Sequence, residues 1–231
     1  MLRRLMIAGA SAPVTDPYWA NVLMLLRFNG NAAEVKGRPF VLAGTPAFVP
    51  GKFGQAIAPE AGTTASGATD STSEYVDYAL GVGDFTIECW ANANTSLSTD
   101  GALISFFDTI STNGWQLLIS PSGAPRFYQY ASGGSYPLTA TGINLRDGAW
   151  HHIAVSRNSG TLRMFVDGMQ VASAANSTNY GYSLLYMSIG YQRQGNSRYP
   201  FNGAIDEVRV TKGVGRYTST FAVPSAPFPG S

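Results

Sequence analysis

Cysteine is almost missing from this sequence. Cys89 stands alone, which excludes an intrachain disulfide, and its apolar surroundings suit a buried, inert thiol. Charge is scarce as well. Charged residues make up 13% of the 231, and the net charge of +1 gives no field to gather nucleic acid or an anionic membrane surface. Lysine occurs only at Lys36, Lys52 and Lys212; the other cations are scattered arginines, a residue enriched where proteins pack together. No apolar run approaches the roughly 20 residues of a membrane span, so membrane insertion is not expected. No amphipathic helix of useful length stands out. His151 and His152 are the only histidines, and neighbours on a strand project to opposite faces, so they cannot form one ligand pair. A Gly-x-Ser-x-Gly elbow is absent, and Asp100 and Asp108 lie in expected loops without an Asp-x-Asp-x-Asp cluster.

What is present is the chemistry of short strands and turns: 26 glycines, 13 prolines, and many Tyr, Phe, Val and Thr. Ile153 and Val155 alternate with polar or small neighbours, as do Leu162, Met164 and Val166. Asn158-Ser159-Gly160 turns the first run into the second. Asp167-Gly168 then closes a second hairpin into residues 169–172, because Asp-Gly tolerates the positive φ of a type I′ turn. Three antiparallel strands in succession predict a meander at the heart of an all-β sandwich.

Residues 22–28 are apolar on both faces, which suits a strand buried from both sides or a short internal segment. Short strands are expected at 40–43 and 52–57, with Gly44, Pro46, Pro50 and Gly51 as turn formers between them. Residues 59–73, rich in Gly, Ala, Ser and Thr, read as a flexible surface loop, and 75–78 as a return to strand. Along 84–92, Phe85, Ile87 and Cys89 face one way and Thr86, Glu88 and Trp90 the other. Further strands are expected at 102–107, 115–120, 126–130 and 184–191, with a soft loop over 131–141. In the last strand, 201–210, Ile205 and Val208 differ in parity, so a bulge near Asp206 is needed to keep both inside. Residues 213–231, with Pro224, Pro227 and Pro229, read as an extended tail without its own core. At the other end, Arg3 and Arg4 precede a short apolar run that Gly9 interrupts. That run is at the lower limit for a signal peptide, so it is expected to stay uncleaved as an arm.

Phe85 to Trp90, Trp150 to Arg157, Leu162 to Gly168, Ile189-Gly190 and Phe201 to Val210 follow one another in the order of laminin-G-like, concanavalin A-like jelly-roll domains, which the sequence resembles from about Val22 to Lys212. The resemblance implies a two-sheet antiparallel jelly-roll sandwich at 21–212, between an N-terminal arm at 1–20 and a C-terminal tail at 213–231. Such folds host lectins, hydrolases and adhesive modules alike. The flanks, Asp16 to Val22 and Val210 to Pro229, are similar to those of such domains in tailed-bacteriophage virion proteins. That likeness implies a non-enzymatic structural protein on the virion surface, as a capsid decoration or tail-associated module. Its partners would be other virion proteins, its state a homo-oligomer or symmetric array, and its ligand a cell-surface glycan. The arm (Arg3, Arg4, Leu5, Ile7) and the tail (Arg216, Tyr217, Phe221, Phe228) would supply the docking contacts.

Two alternatives are a carbohydrate-binding adhesin module of a tail fibre and a glycan hydrolase. Retaining hydrolysis needs two carboxyl groups roughly 5 Å apart. The Glu-x-Asp-x-x-Glu arrangement of related hydrolases is missing, and Glu88 and Glu207 are the carboxylates such a reading would test. No cofactor is expected; calcium enters only because laminin-G-like rims often hold it. Glycan binding rests on aromatic side chains beside Gln, Asn and Arg donors. The candidate contacts are Tyr128, Tyr130, Tyr136, Tyr180, Tyr182 and Tyr199, balanced against the tendency of tyrosine to fill cores with its hydroxyl satisfied.

Overall fold

The expected meander is present and sets the frame. In the computed structural model, which describes residues 15–60, 65–70, 78–94, 98–108, 113–130, 133–181, 185–193 and 199–231, β11 (His151–Asn158), β12 (Thr161–Val166) and β13 (Met169–Ala175) are consecutive antiparallel neighbours. Both connecting turns use positive φ: Ser159 and Gly160 at +47° and +75°, Asp167 and Gly168 at +47° and +77°.

The remaining strands are β1 (Val22–Leu26), β2 (Phe40–Ala43), β3 (Ala47–Pro50), β4 (Gln55–Ala58), β5 (Gly67–Asp70), β6 (Phe85–Ala93), β7 (Gly101–Asp108), β8 (Asn113–Ile119), β9 (Pro125–Tyr130), β10 (Gly134–Thr139), β14 (Met187–Ile189) and β15 (Gly203–Lys212). Among the described residues they form two antiparallel sheets. Sheet A has eight strands in the order β13-β12-β11-β6-β15-β4-β3, with β1 also paired to β15. Sheet B has seven, in the order β10-β9-β8-β7-β14-β5-β2. The two-layer jelly-roll expectation holds.

Between the sheets the alternating positions meet as foreseen. Phe85, Ile87 and Cys89 from β6 join Ile153 and Val155, Leu162 and Met164, and Trp115, Leu117 and Phe127 in one core. Each large side chain fully buried there contributes about 1.5–3 kcal/mol. The β15 bulge is also real. Pairing with β6 shifts register between Asp206 and Arg209, and Glu207 takes φ +47°, which brings both Ile205 and Val208 into the core. β1 is buried from both sides: Met24 and Leu26 reach the main core, while Val22 and Leu25 join Phe228 in a second cluster on the outer face.

Five expectations need correction. Within 59–73, residues 67–70 are not a flexible loop but β5, wholly buried between β14 and β2. Its small residues reflect close approach, since a Cβ on Gly67 would collide with the carbonyl oxygen of Ile189. Within 131–141, residues 134–139 form β10. In the expected turn before Lys52, residues 47–50 form β3, an edge strand where Pro50 needs no donor. Of the strand expected at 52–57, only Gln55 onward is strand, and among the described residues of 184–191, only Met187–Ile189. Tyr78 is buried in the core, and residues 75–77 lie outside the described set.

Residues 213–231 carry no strand, yet they do not stand apart from the sandwich. The Arg216 and Tyr217 amides donate to Thr86 Oγ1 and Ser156 Oγ, at 2.8 and 3.3 Å, and the Phe221 amide donates to the Gly168 carbonyl, at 3.0 Å. The chain then returns, and the Phe228 amide donates to Glu207 Oε2 at 2.8 Å. Finally, the Asp16 amide donates to the carbonyl of Ser231. The tail is thus a strap across the outer face of sheet A.

Candidate functional site: an aromatic face and a strapped polar network

On β9, Phe127 points into the core, so alternation sends Arg126, Tyr128 and Tyr130 to the outer face of sheet B. β10 pairs beside them and shifts register between Ser135 and Leu138, so Leu138 is buried while Tyr136 stays 44% exposed. The Tyr128 ring lies edge-on to Tyr136, centroids 5.1 Å apart, and 5.7 Å from Phe107; Tyr130 is 6.3 Å from Phe107. A Cβ on Gly134 would strike the Tyr128 hydroxyl, so glycine is what lets that ring lie against β10.

Polar groups converge at the same place. Asp100 accepts from the Tyr136 hydroxyl at 3.0 Å and from Arg126 Nη1 at 3.3 Å, and the Arg126 guanidinium lies 5.2 Å from the Tyr136 centroid. Burial, reinforced by the Asp100 carboxylate, pushes the Tyr136 phenol up to about 12. Burial and the neighbouring Tyr130 and Tyr199 likewise raise Tyr128. Both phenols therefore remain neutral hydroxyls near pH 7. Flat apolar rings beside a fixed acceptor and a fixed cation suit a ligand with apolar faces and hydroxyl edges.

Of the six tyrosines singled out in the sequence, the structure brings Tyr128, Tyr130 and Tyr136 together, with Tyr199 near enough to Tyr128 and Tyr136 to act on their phenols. Tyr180 must be set aside. It is fully buried, packs 5.6 Å from Phe85 and 6.1 Å from Phe127, and donates its hydroxyl to Gln129 and Asn176, so it offers a ligand no surface. Tyr182 lies outside the described residues. Sequence reasoning missed Phe107, Arg126 and the role of Asp100. Phe107 faces outward because it alternates with Ile104 and Phe106, which enter the core; two adjacent phenylalanines do not by themselves show which ring goes inside.

Under the strap, on the outer face of sheet A, lies a second polar arrangement. Glu88 is fully buried. Its Oε1 accepts from Arg209 Nε at 2.9 Å and is ion-paired with Nη2 at the same distance; its Oε2 accepts from His152 Nε2 at 3.1 Å and from the Tyr217 hydroxyl at 2.7 Å. Arg209 Nη1 reaches Asp16 at 3.0 Å, and Arg216 clamps the same carboxylate through Nη1 and Nη2 at 2.9 and 2.8 Å. Burial alone would raise Glu88, but Arg209 and His152 outweigh it and hold the carboxyl at about 2. Glu207, 1% exposed, is pushed by burial up to about 7, and Asp206, in the same bulge, to about 6. The carboxylates of a hydrolase reading, Glu88 and Glu207, thus sit beneath the strap rather than on an open face.

The tail residues expected to dock onto neighbours have partners within their own chain. Arg216 holds Asp16, Tyr217 stacks on Phe221 with centroids 3.7 Å apart, and Phe228 lies 3.8 Å over the Arg209 guanidinium. Arg3, Arg4, Leu5 and Ile7 lie outside the described residues. Of the two acids weighed for calcium, Asp100 is engaged by Arg126 and Tyr136, while Asp108 closes β7. Among the described residues, no group of three His, Cys, Asp or Glu side chains could hold a metal ion.

Comparison with known proteins agrees on the fold. Domain 4 of AbnA, a GH43 extracellular arabinanase from Geobacillus stearothermophilus solved in complex with arabinotriose, superposes with a TM-score of 0.65 at 19% identity, over 84% of this chain and 93% of that one. The binding domain of Paraclostridial Mosquitocidal Protein 1 gives 0.63 at 13% identity, over 90% of this chain and 51% of that one. A structure from work on botulinum neurotoxin type C, whose cell entry depends on two ganglioside molecules, gives 0.61 at 12%, over 92% and 50%. The chain therefore spans about half the length of the two toxin structures. No curated protein matches it. The Laminin_G_3 family model matches residues 62–214, and with the sandwich described above this shows that the chain belongs to the concanavalin A-like lectin/glucanases superfamily.

Proposed function

We propose that this chain is a non-enzymatic, glycan-binding structural protein displayed on the surface of a tailed-phage particle. The observation that carries the binding half is the outward cluster of Tyr128, Tyr130 and Tyr136 beside Phe107, with Asp100 and Arg126 fixed next to it. Sugar rings would lie against the aromatic faces, and their hydroxyls would meet Asp100, Arg126 and the neutral phenols. Two neighbours in fold point the same way: one was solved with arabinotriose, the other is described through gangliosides. The virion half rests on the flanks of the sandwich, residues 16–22 and 210–229. The N-terminal arm would dock the chain to other virion proteins, in a symmetric array of copies.

A glycan array followed by calorimetry tests the binding half. Tyr136→Ala and Tyr128→Ala should each weaken the best glycan by about tenfold, corresponding to roughly 1.4 kcal/mol. Absence of any binding at millimolar sugar, or unchanged affinity in both variants, would refute it. Immunogold labelling of purified particles tests the virion half, and unlabelled particles would overturn it.

A further inference from the structure

The Asp206–Glu207 bulge does more than correct strand parity. Glu207 sits in it at φ +47°, a strained conformation for a residue with a side chain, and its buried carboxylate is the strap's anchor at Phe228. Oε2 accepts the Phe228 amide at 2.8 Å, while Arg27 Nη2 donates to the Phe228 carbonyl, so the two side chains hold the backbone of one residue on either side of its Cα. The grip is incomplete: Glu207 Oε1 and Arg27 Nε are both buried without a hydrogen-bond partner, 3.8 Å apart.

We propose that this bulge is an acid-closed clasp: the strap at 217–229 is held down when Glu207 is protonated and loosens when Glu207 and Asp206 are both ionised.

The charges around Glu207 support that direction. Asp206, beside it in the bulge, accepts the amides of Phe53 and Glu207 at 2.9 and 2.8 Å and can lend no proton once ionised. Arg209, two residues on, is committed to Glu88 and Asp16. From β11, His152 is engaged with Glu88 and meets the Phe228 ring 6.2 Å away; from the turn before β4, Lys52 places its ammonium over Trp90 at 4.2 Å. Behind β1, Glu34 is occupied by the amides of Leu25, Lys36 and Arg38. Among the described residues, Arg27 alone faces Glu207 with an unused donor, and its side chain is 32% exposed to screening water. Burial raises both carboxyls of the bulge, so the closed form binds protons more tightly than the open one. Deprotonation therefore favours opening, progressively as pH climbs from the ordinary carboxylate range through about 7.

Hydrogen exchange of the full chain at pH 5.5 and 8.5, each rate divided by its intrinsic chemical rate, reads the clasp directly. Protection of peptides spanning 217–231 should fall on the order of tenfold between the two, while the β11–β12 hairpin keeps its protection. Glu207→Gln should abolish most of that fall. Arg27→Met, which leaves the carboxyl in place, should deepen it. Unchanged strap protection in the wild type, an undiminished fall in Glu207→Gln, a shallower fall in Arg27→Met, or equal loss in the hairpin would each overturn the proposal.

Discussion

Replacing Arg209 with methionine would test the strapped network, because the stem is kept and only the cation is lost. In the native chain Arg209 serves two buried acids: Glu88 through Nε and Nη2, and Asp16 through Nη1. Without it, Asp16 still has Arg216, but Glu88 keeps only His152 and Tyr217 and no permanent cation. Breaking a buried pair in this way typically costs about 3–5 kcal/mol. An independent figure agrees. A carboxyl held at about 2 instead of its ordinary 4.5 contributes about 3 kcal/mol at pH 7. Because the folded value is depressed, that contribution is present above 4.5 and is lost as pH falls through about 2. In the variant, Glu88 can escape its penalty by taking up a proton, so the deficit should shrink in acid. Urea unfolding followed by tryptophan fluorescence should therefore show a loss of about 3 kcal/mol at pH 7 and clearly less at pH 4, with unchanged m. A double variant, Glu88→Leu with Arg209→Met, should recover part of the loss, since an apolar pair leaves no orphaned charge. A loss below about 1 kcal/mol at pH 7, an equal loss at pH 4, or a double variant as weak as the single one would refute this account.

Two further outcomes follow from the geometry. Gly67→Ala should cost more than about 2 kcal/mol, because its Cβ meets the Ile189 carbonyl at φ +146°, whereas Gly142→Ala, at φ +85° with nothing within 4 Å, should cost about 1 kcal/mol; similar losses in urea melts would mean that close approach is not what requires Gly67. His151 places both ring nitrogens on carboxylates, Nδ1 2.7 Å from Asp167 and Nε2 3.1 Å from Asp147. Although burial works the other way, the two acids should raise its NMR titration midpoint above 6.5, so that its stabilisation is full below 6.5 and fades as pH rises through the raised midpoint; a midpoint at or below 6.5 would contradict that balance.

The sequence determined whatever depends on short-range pattern. Period-two alternation and the paired positive-φ turns are local properties of the backbone, so the β11–β13 meander, the inward face of β6 and the Asp206 bulge could be read directly. Tertiary structure decided what depends on which surfaces meet. Gly, Ala and Thr in 67–70 look the same whether a segment is loose or pressed against another strand, so β5 was invisible until β14 lay beside it. Tyrosine suits a core and a binding face equally. Only the placing of Tyr180 between Phe85 and Phe127, and of Tyr128 and Tyr136 on the outside of sheet B, separated the two uses. The strap is the extreme case. Phe228 and Glu207 are 21 residues apart, and nothing local in either could tell that one carboxylate would hold the other's backbone in place.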